Sequence, residues 1–111
     1  MATTGATGDQ FLPWISVSKT GQVGVTWLDR RNDAGNLKYE AFAGFSTNGG
    51  VSFGANAKLS EVASNPNNDG FGGGFTGDYT GNVWIGNALV MSYMDMRSGI
   101  VSQDWVAAIL P

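Results

Sequence analysis

The chain repeats itself, and that repeat restricts its fold more than any single residue does. Gly8-Asp9 recurs 69 residues later as Gly77-Asp78, and each pair opens a strand-turn-strand pattern. The second strand of each pattern ends in an aromatic-x-Asp-x-Arg segment. This reads Trp27-Leu28-Asp29-Arg30-Arg31 in the first copy and, 66 residues on, Tyr93-Met94-Asp95-Met96-Arg97 in the second. The difference of three residues falls in the intervening hairpin, where Gly86-Asn87 suits a two-residue turn.

Alternation of β-branched or aromatic side chains with small or polar ones predicts strands over 11–18, 23–28, 37–45, 51–59, 81–85, 88–94 and 104–110. On this pattern Glu40 occupies a strand position on a solvated outer face. Residues 29–36 and 46–50 carry the Asn, Asp and Gly of turns, and 60–77 reads as one long loop. The only helical candidate, 59–64, is too short and stops before Pro66. Each copy leads through a polar loop to a third strand, but only the first continues to a fourth. The expected fold is therefore all-β: two four-stranded antiparallel β-propeller blades, the second lacking its outer strand. The first blade spans 9–59 and the second 78–111, with 60–77 between them and 1–8 as a flexible segment or swapped edge strand. A seven-stranded sandwich is the rival fold and suits 111 residues.

Composition narrows the chemistry. There is no histidine and no cysteine, which excludes a Ser-His-Asp triad, a thiolate nucleophile, a Cys/His zinc site and a disulfide framework. Six Lys/Arg against nine Asp/Glu give a net charge of −3 without any basic run, so nucleic acid is not an expected partner. No apolar run approaches the roughly 18 residues of a membrane span, and residues 1–8 lack the features of a signal peptide. No cofactor is expected. Asn65-x-Asn67-x-Asp69-Gly70 copies the first half of a calcium loop, but its twelfth position is Thr76 and helices are missing on both sides. It reads as a surface turn, not a metal site. The glycine-rich 70–77 segment enters a strand rather than a helix and so offers no phosphate cradle.

Ser46-Thr47-Asn48-Gly49-Gly50-Val51-Ser52-Phe53 resembles the Asp-box of sialidase-type propellers, Ser-x-Asp-x-Gly-x-Thr-Trp, with Asn48 in the Asp position and Ser52-Phe53 for Thr-Trp. Its place between third and fourth strands matches. Asp9-Gln10-Phe11-Leu12-Pro13, the Trp27–Arg31 segment and Gly77-Asp78-Tyr79-Thr80-Gly81 are similar to segments of the BNR-repeat, exo-sialidase-like branch. The resemblance implies a propeller in an extracellular setting, with Ser46, Asn48, Gly50, Ser52 and Phe53 as a structural staple away from the ligand face. It also implies glycoside hydrolysis, by an arginine triad, a Tyr-Glu nucleophile pair and an acid/base Asp. Here the chain departs from the family. It has three arginines, two glutamates, Glu40 and Glu61, and no arginine in Phe11-Leu12-Pro13, so no catalytic residue can be assigned.

Antiparallel pairing places Asp9 beside Asp29 and Arg31, and Asp78 beside Asp95 and Arg97. These six are the candidate ligand-binding residues, for a sugar or another anion; their alternative role is a repeated salt bridge fixing the loops. Two blades cannot close a ring, since propellers need about four to eight. The expected partner is the chain itself: a head-to-tail homo-oligomer, with a trimer favoured and a tetramer possible. Three functions remain open: an assembling structural or carbohydrate-binding module, an exo-sialidase-like glycosidase with its site formed between chains, and a folding fragment with no activity.

Overall fold

The computed structural model describes residues 2–3 and 5–111. Among these residues, seven strands form two antiparallel sheets. The first contains β1 (Gln10–Val17), β2 (Val23–Asp29), β3 (Glu40–Ser46) and β4 (Ala57–Lys58), in that spatial order; the second contains β5 (Gly81–Ile85), β6 (Ala88–Asp95) and β7 (Gln103–Ile109). Within each sheet every strand pairs with its neighbour in sequence, so both sheets are simple meanders. The all-β expectation holds, and among the described residues the only helical element is a 3-10 turn at Pro66–Asn68. No helix among them is long and apolar enough to cross a membrane.

The sheets stack through alternating side chains. On β2, Gly24, Thr26 and Leu28 face the second sheet, which turns Trp84, Asn82, Leu89, Met91 and Tyr93 toward them. Leu28, Tyr39, Ala41, Met91 and Tyr93 form the buried core. Gly24 is where the sheets approach most closely: a Cβ there would lie 2.9 Å from a Leu89 methyl and 3.0 Å from the Trp84 ring. Hydrogen bonds fix the stacking. Asn82 donates to the Trp14 carbonyl and to Thr26 Oγ1, both at 2.9 Å, and meets the Ser16 hydroxyl. The Tyr39 hydroxyl donates to the Met94 carbonyl at 2.8 Å. A bulge in β1 puts Leu12 at φ 51°, and its carbonyl accepts from Thr80 Oγ1 at 2.9 Å. The bulge therefore serves a cross-sheet bond as well as bending the strand.

Three strand expectations need correction. β3 begins at Glu40, not at residue 37, because the amides of Leu37 and Lys38 donate to Asp33 at 2.8 and 2.7 Å and hold those residues in the loop. Tyr39 bridges to Ser64 instead of joining the strand. The fourth strand shrinks from 51–59 to two residues, because the 46–53 turn satisfies its own amides and only Ala57 and Lys58 return to pair with β3. Glu40 is not solvated: it is buried, accepting from Asn32 at 2.6 Å and Lys58 at 3.0 Å, since the short β4 brings Lys58 across it.

The segment 60–77 is more ordered than a plain loop. Asn65 caps the 3-10 turn by accepting from the Asn67 amide at 3.0 Å. Buried Asp69 then accepts from the amides of Phe71, Gly72, Gly73 and Phe75, between 2.7 and 3.4 Å. Four backbone donors use about all the lone-pair directions a carboxylate has. This explains the calcium-like spacing without a metal.

Candidate functional site

Both aromatic-x-Asp-x-Arg segments lie at the same end of the molecule, where β2 and β6 finish. In each, the Asp carboxylate accepts from the backbone amide of the Arg two residues on, at 2.8 Å in both copies. The guanidinium then folds back onto the same carboxylate. Arg31 reaches Asp29 at 2.6 Å through one nitrogen; Arg97 grips Asp95 through Nε and a terminal nitrogen, both at 2.9 Å. Asp29 and Asp95 are fully buried. Both guanidiniums also lie over the aromatic that pairs with the segment's own aromatic on the next strand. Arg31 sits 4.3 Å from the Phe42 ring centre, opposite Trp27, and Arg97 sits 3.5 Å from Trp105, opposite Tyr93. Buried charge is thus paired, and each pair is roofed by a cation–π contact.

The copies differ in how fully the arginine is used. Trp27 donates to Asp29 at 2.7 Å, the Arg31 nitrogen that bonds Asp29 also donates to Asn56 Oδ1 at 3.0 Å, and among the described residues the Arg31 Nε has no partner. In the second copy both carboxylate oxygens are taken by Arg97, and exposed Glu61 stands 3.8 Å from the same guanidinium. The hydrogen bonds that Arg97 donates to Asp95 hold its guanidinium above the usual arginine range.

Of the six sequence candidates, Asp29, Arg31, Asp95 and Arg97 form these two clasps. Asp9 joins the first rim through a different arginine: it pairs with Arg30 at 3.2 Å and with Asn36 at 2.9 Å, and its carbonyl accepts the Arg30 amide. Asp78 is exposed, and no ion pair among the described residues includes it. Its expected place beside Arg97 is taken by Glu61. The 46–53 turn is closed by its own side chains. Ser46 Oγ accepts from the Gly50 amide at 2.9 Å, Asn48 accepts from the Ser52 amide at 3.0 Å, and Gly50 has φ 88°. Phe53 is half-buried.

A cleft of about 230 Å³ opens beside the second clasp, lined by Leu59, Glu61, Tyr93, Arg97 and Trp105. Its chemistry is limited. Tyr93 is buried in the core, and burial, with Asp95 nearby, pushes its hydroxyl above the usual tyrosine range in spite of Arg97, so it stays protonated at neutral pH. Arg97 is committed to Asp95 and lies flat on Trp105. That leaves the exposed Glu61 carboxylate, itself loosely paired with Arg97 at 3.8 Å, and a single carboxylate is no acid/base pair. Among the described residues, no three His, Cys, Asp or Glu side chains come together as a metal site would require.

The rim also determines the acid response. At Asp29, burial pushes the pKa up, but hydrogen bonds from Arg31 and Trp27 outweigh it and hold the group below its ordinary value; at Asp69, the Phe75 and Phe71 amides lead the same downward shift. A depressed folded pKa gives stability that is complete above the unfolded value, near 3.9, and lost as pH falls through the folded value. Urea midpoints taken between pH 6 and pH 2 are expected to fall below about pH 4. The fall should be shallower in Asp29→Asn and in Asp69→Asn; an unchanged slope in both variants would rule out these groups as its source.

Fold and rim together define an all-β protein of two stacked meander sheets, each closed at one end by an Asp–Arg clasp. No protein-family model, curated protein or solved structure matches the chain.

Proposed function

We propose that the chain is a two-blade sector of a sialidase-like β-propeller, a structural module that assembles with copies of itself and presents its clasped rim to a carbohydrate. The carrying observation is that two meander sheets, stacked face to face, end in the same Asp–Arg–aromatic clasp at the same edge. Meander connectivity within each sheet supports blades over a Greek-key sandwich, whose consecutive strands pass between sheets. Glycoside hydrolysis is the weaker reading, because Arg31 and Arg97 are spent on aspartates of their own sheets and the cleft lacks a nucleophile with its base.

Assembly is the testable core of this reading. Light scattering on the purified chain is expected to give a whole-number multiple of 11.6 kDa, with three copies completing six blades. A well-folded species of 11.6 kDa at every accessible concentration would overturn it.

A further inference from the structure

The repeat does more than duplicate a sheet: it relates the two faces the chain buries to the two faces it leaves open. Register equates Gly24 of β2 with Val90 of β6, Val23 with Leu89, Val25 with Met91 and Thr26 with Ser92. Inside the chain, the Gly24 face of the first sheet packs on the Leu89–Met91 face of the second. Strand alternation turns the remaining faces outward. The second sheet therefore turns outward the counterpart of the Gly24 face, and the first sheet turns outward the counterpart of the Leu89–Met91 face, where Val23 is buried, Val25 is half-buried and their β1 partners Val17 and Ile15 are exposed. They are the two halves of a contact the molecule already makes once.

The open faces also suit one another in shape. In the internal contact, Gly24 and its strand partner Ser16 lie against Leu89 and its partner Trp84, so small residues meet large ones. The equivalent outer positions are Val90 with Val83 on the second sheet and Val23 with Val17 on the first, so medium residues meet medium ones. Total volume is nearly conserved, the condition under which a packed contact tolerates substitution. In the next row the outer face of the second sheet has Ser92 paired with Gly81, which leaves a hollow of about 260 Å³ floored by Gly81, Val83, Val90, Ser92 and Val106. The matching row of the first sheet is Val25 with Ile15, and Ile15 projects from that face, 63% exposed.

Charge agrees with shape. Along these rows neither face carries an ionised group. Asp104 is the one charged residue on the outer face of β5, β6 and β7, and it stands at the clasp end, where the first sheet's outer face carries Lys58 already paired with Glu40. Ala2 and Thr3 cross this face over Trp27 and over Gly44, the β3 neighbour of Val25, and leave Ile15 and Val17 exposed at its β1 edge.

We infer that the outer face of the second sheet seats on the outer face of the first sheet of a second copy, with Ile15 of one chain filling the hollow over Gly81 of the next. This deepens the assembly reading, on which it rests, by naming the partner surface and its direction. The contact is head-to-tail, so it repeats from chain to chain and closes as a ring.

Gly81 gives a clean test, because a Cβ built there meets nothing within 4 Å and its backbone is not in the left-handed region. Gly81→Leu is expected to keep the wild-type circular dichroism and melting temperature while filling the hollow, and to dissociate more than tenfold more readily by sedimentation. Ile15→Ala added to Gly81→Leu is expected to restore association to within a few-fold of wild type. If wild type assembles and Gly81→Leu assembles equally well, or if the double variant does not recover, this contact is wrong while assembly stands. If wild type is itself a folded monomer, the assembly reading fails with it.

Discussion

Asp95→Ala is expected to lower the stability of the chain by about 3–5 kcal/mol, the cost of removing one partner from a buried ion pair. Asp95 is fully buried and accepts three hydrogen bonds from Arg97, one from its amide and two from its guanidinium. With the carboxylate gone, a largely buried guanidinium keeps only the face of Trp105 and the exposed Glu61 at 3.8 Å, neither of which can replace a bidentate partner. The Arg30–Asp9 pair offers the contrast. Its Asp9 side chain is mostly exposed, so Asp9→Ala is expected to cost under about 1 kcal/mol. Urea unfolding of both variants against wild type measures the difference. Similar losses for the two would show that burial is not what gives the clasp its weight.

The second large effect lies at high pH. Tyr39 is buried at the junction of the sheets, and burial, reinforced by the negative charge of Asp95, pushes its hydroxyl from 10.0 up to about 12. A raised folded pKa means stability that is complete below the unfolded value and lost as pH rises through the folded one. Two pKa units correspond to roughly 2 to 3 kcal/mol, withdrawn between about pH 10 and pH 12. Tyr93 is shifted in the same direction, so Tyr39→Phe is expected to reduce the alkaline loss rather than abolish it. The same variant should lose about 1 kcal/mol at neutral pH, since the Met94 carbonyl forfeits its donor. Urea midpoints from pH 8 to pH 12 check both effects. An alkaline slope identical in wild type and Tyr39→Phe would remove Tyr39 from the account.

What was legible in the sequence was whatever repeats or alternates. The period of two located β1, β2, β5, β6 and β7 to within a residue or two, and the recurrence of aromatic-x-Asp-x-Arg marked the residues that clasp each rim. The failures share a physical cause: they depend on a partner far away in the chain. Glu40 looks like an outward-facing strand residue until Lys58 and Asn32 fold over it. Asp69 looks like a loop acid until the following amides turn back onto it. The roofing of Arg31 by Phe42 and of Arg97 by Trp105 follows from strand register, which spacing within one strand cannot give. Asp78 shows the opposite error, because the repeat suggested a clasp partner where Glu61, outside the repeat, reaches the arginine.

The meander order has a kinetic side. Within each sheet every pairing joins strands adjacent in sequence, so both sheets can form through short loops at small entropic cost. The bonds that dock one sheet on the other, Tyr39 to Met94, Asn82 to Thr26 and Thr80 to Leu12, span 55 to 68 residues. Folding therefore divides into fast local zippering and one slower docking event. A chain caught between the two would expose Leu28, Met91 and Tyr93 together, so the interval before docking is when it is most prone to aggregate.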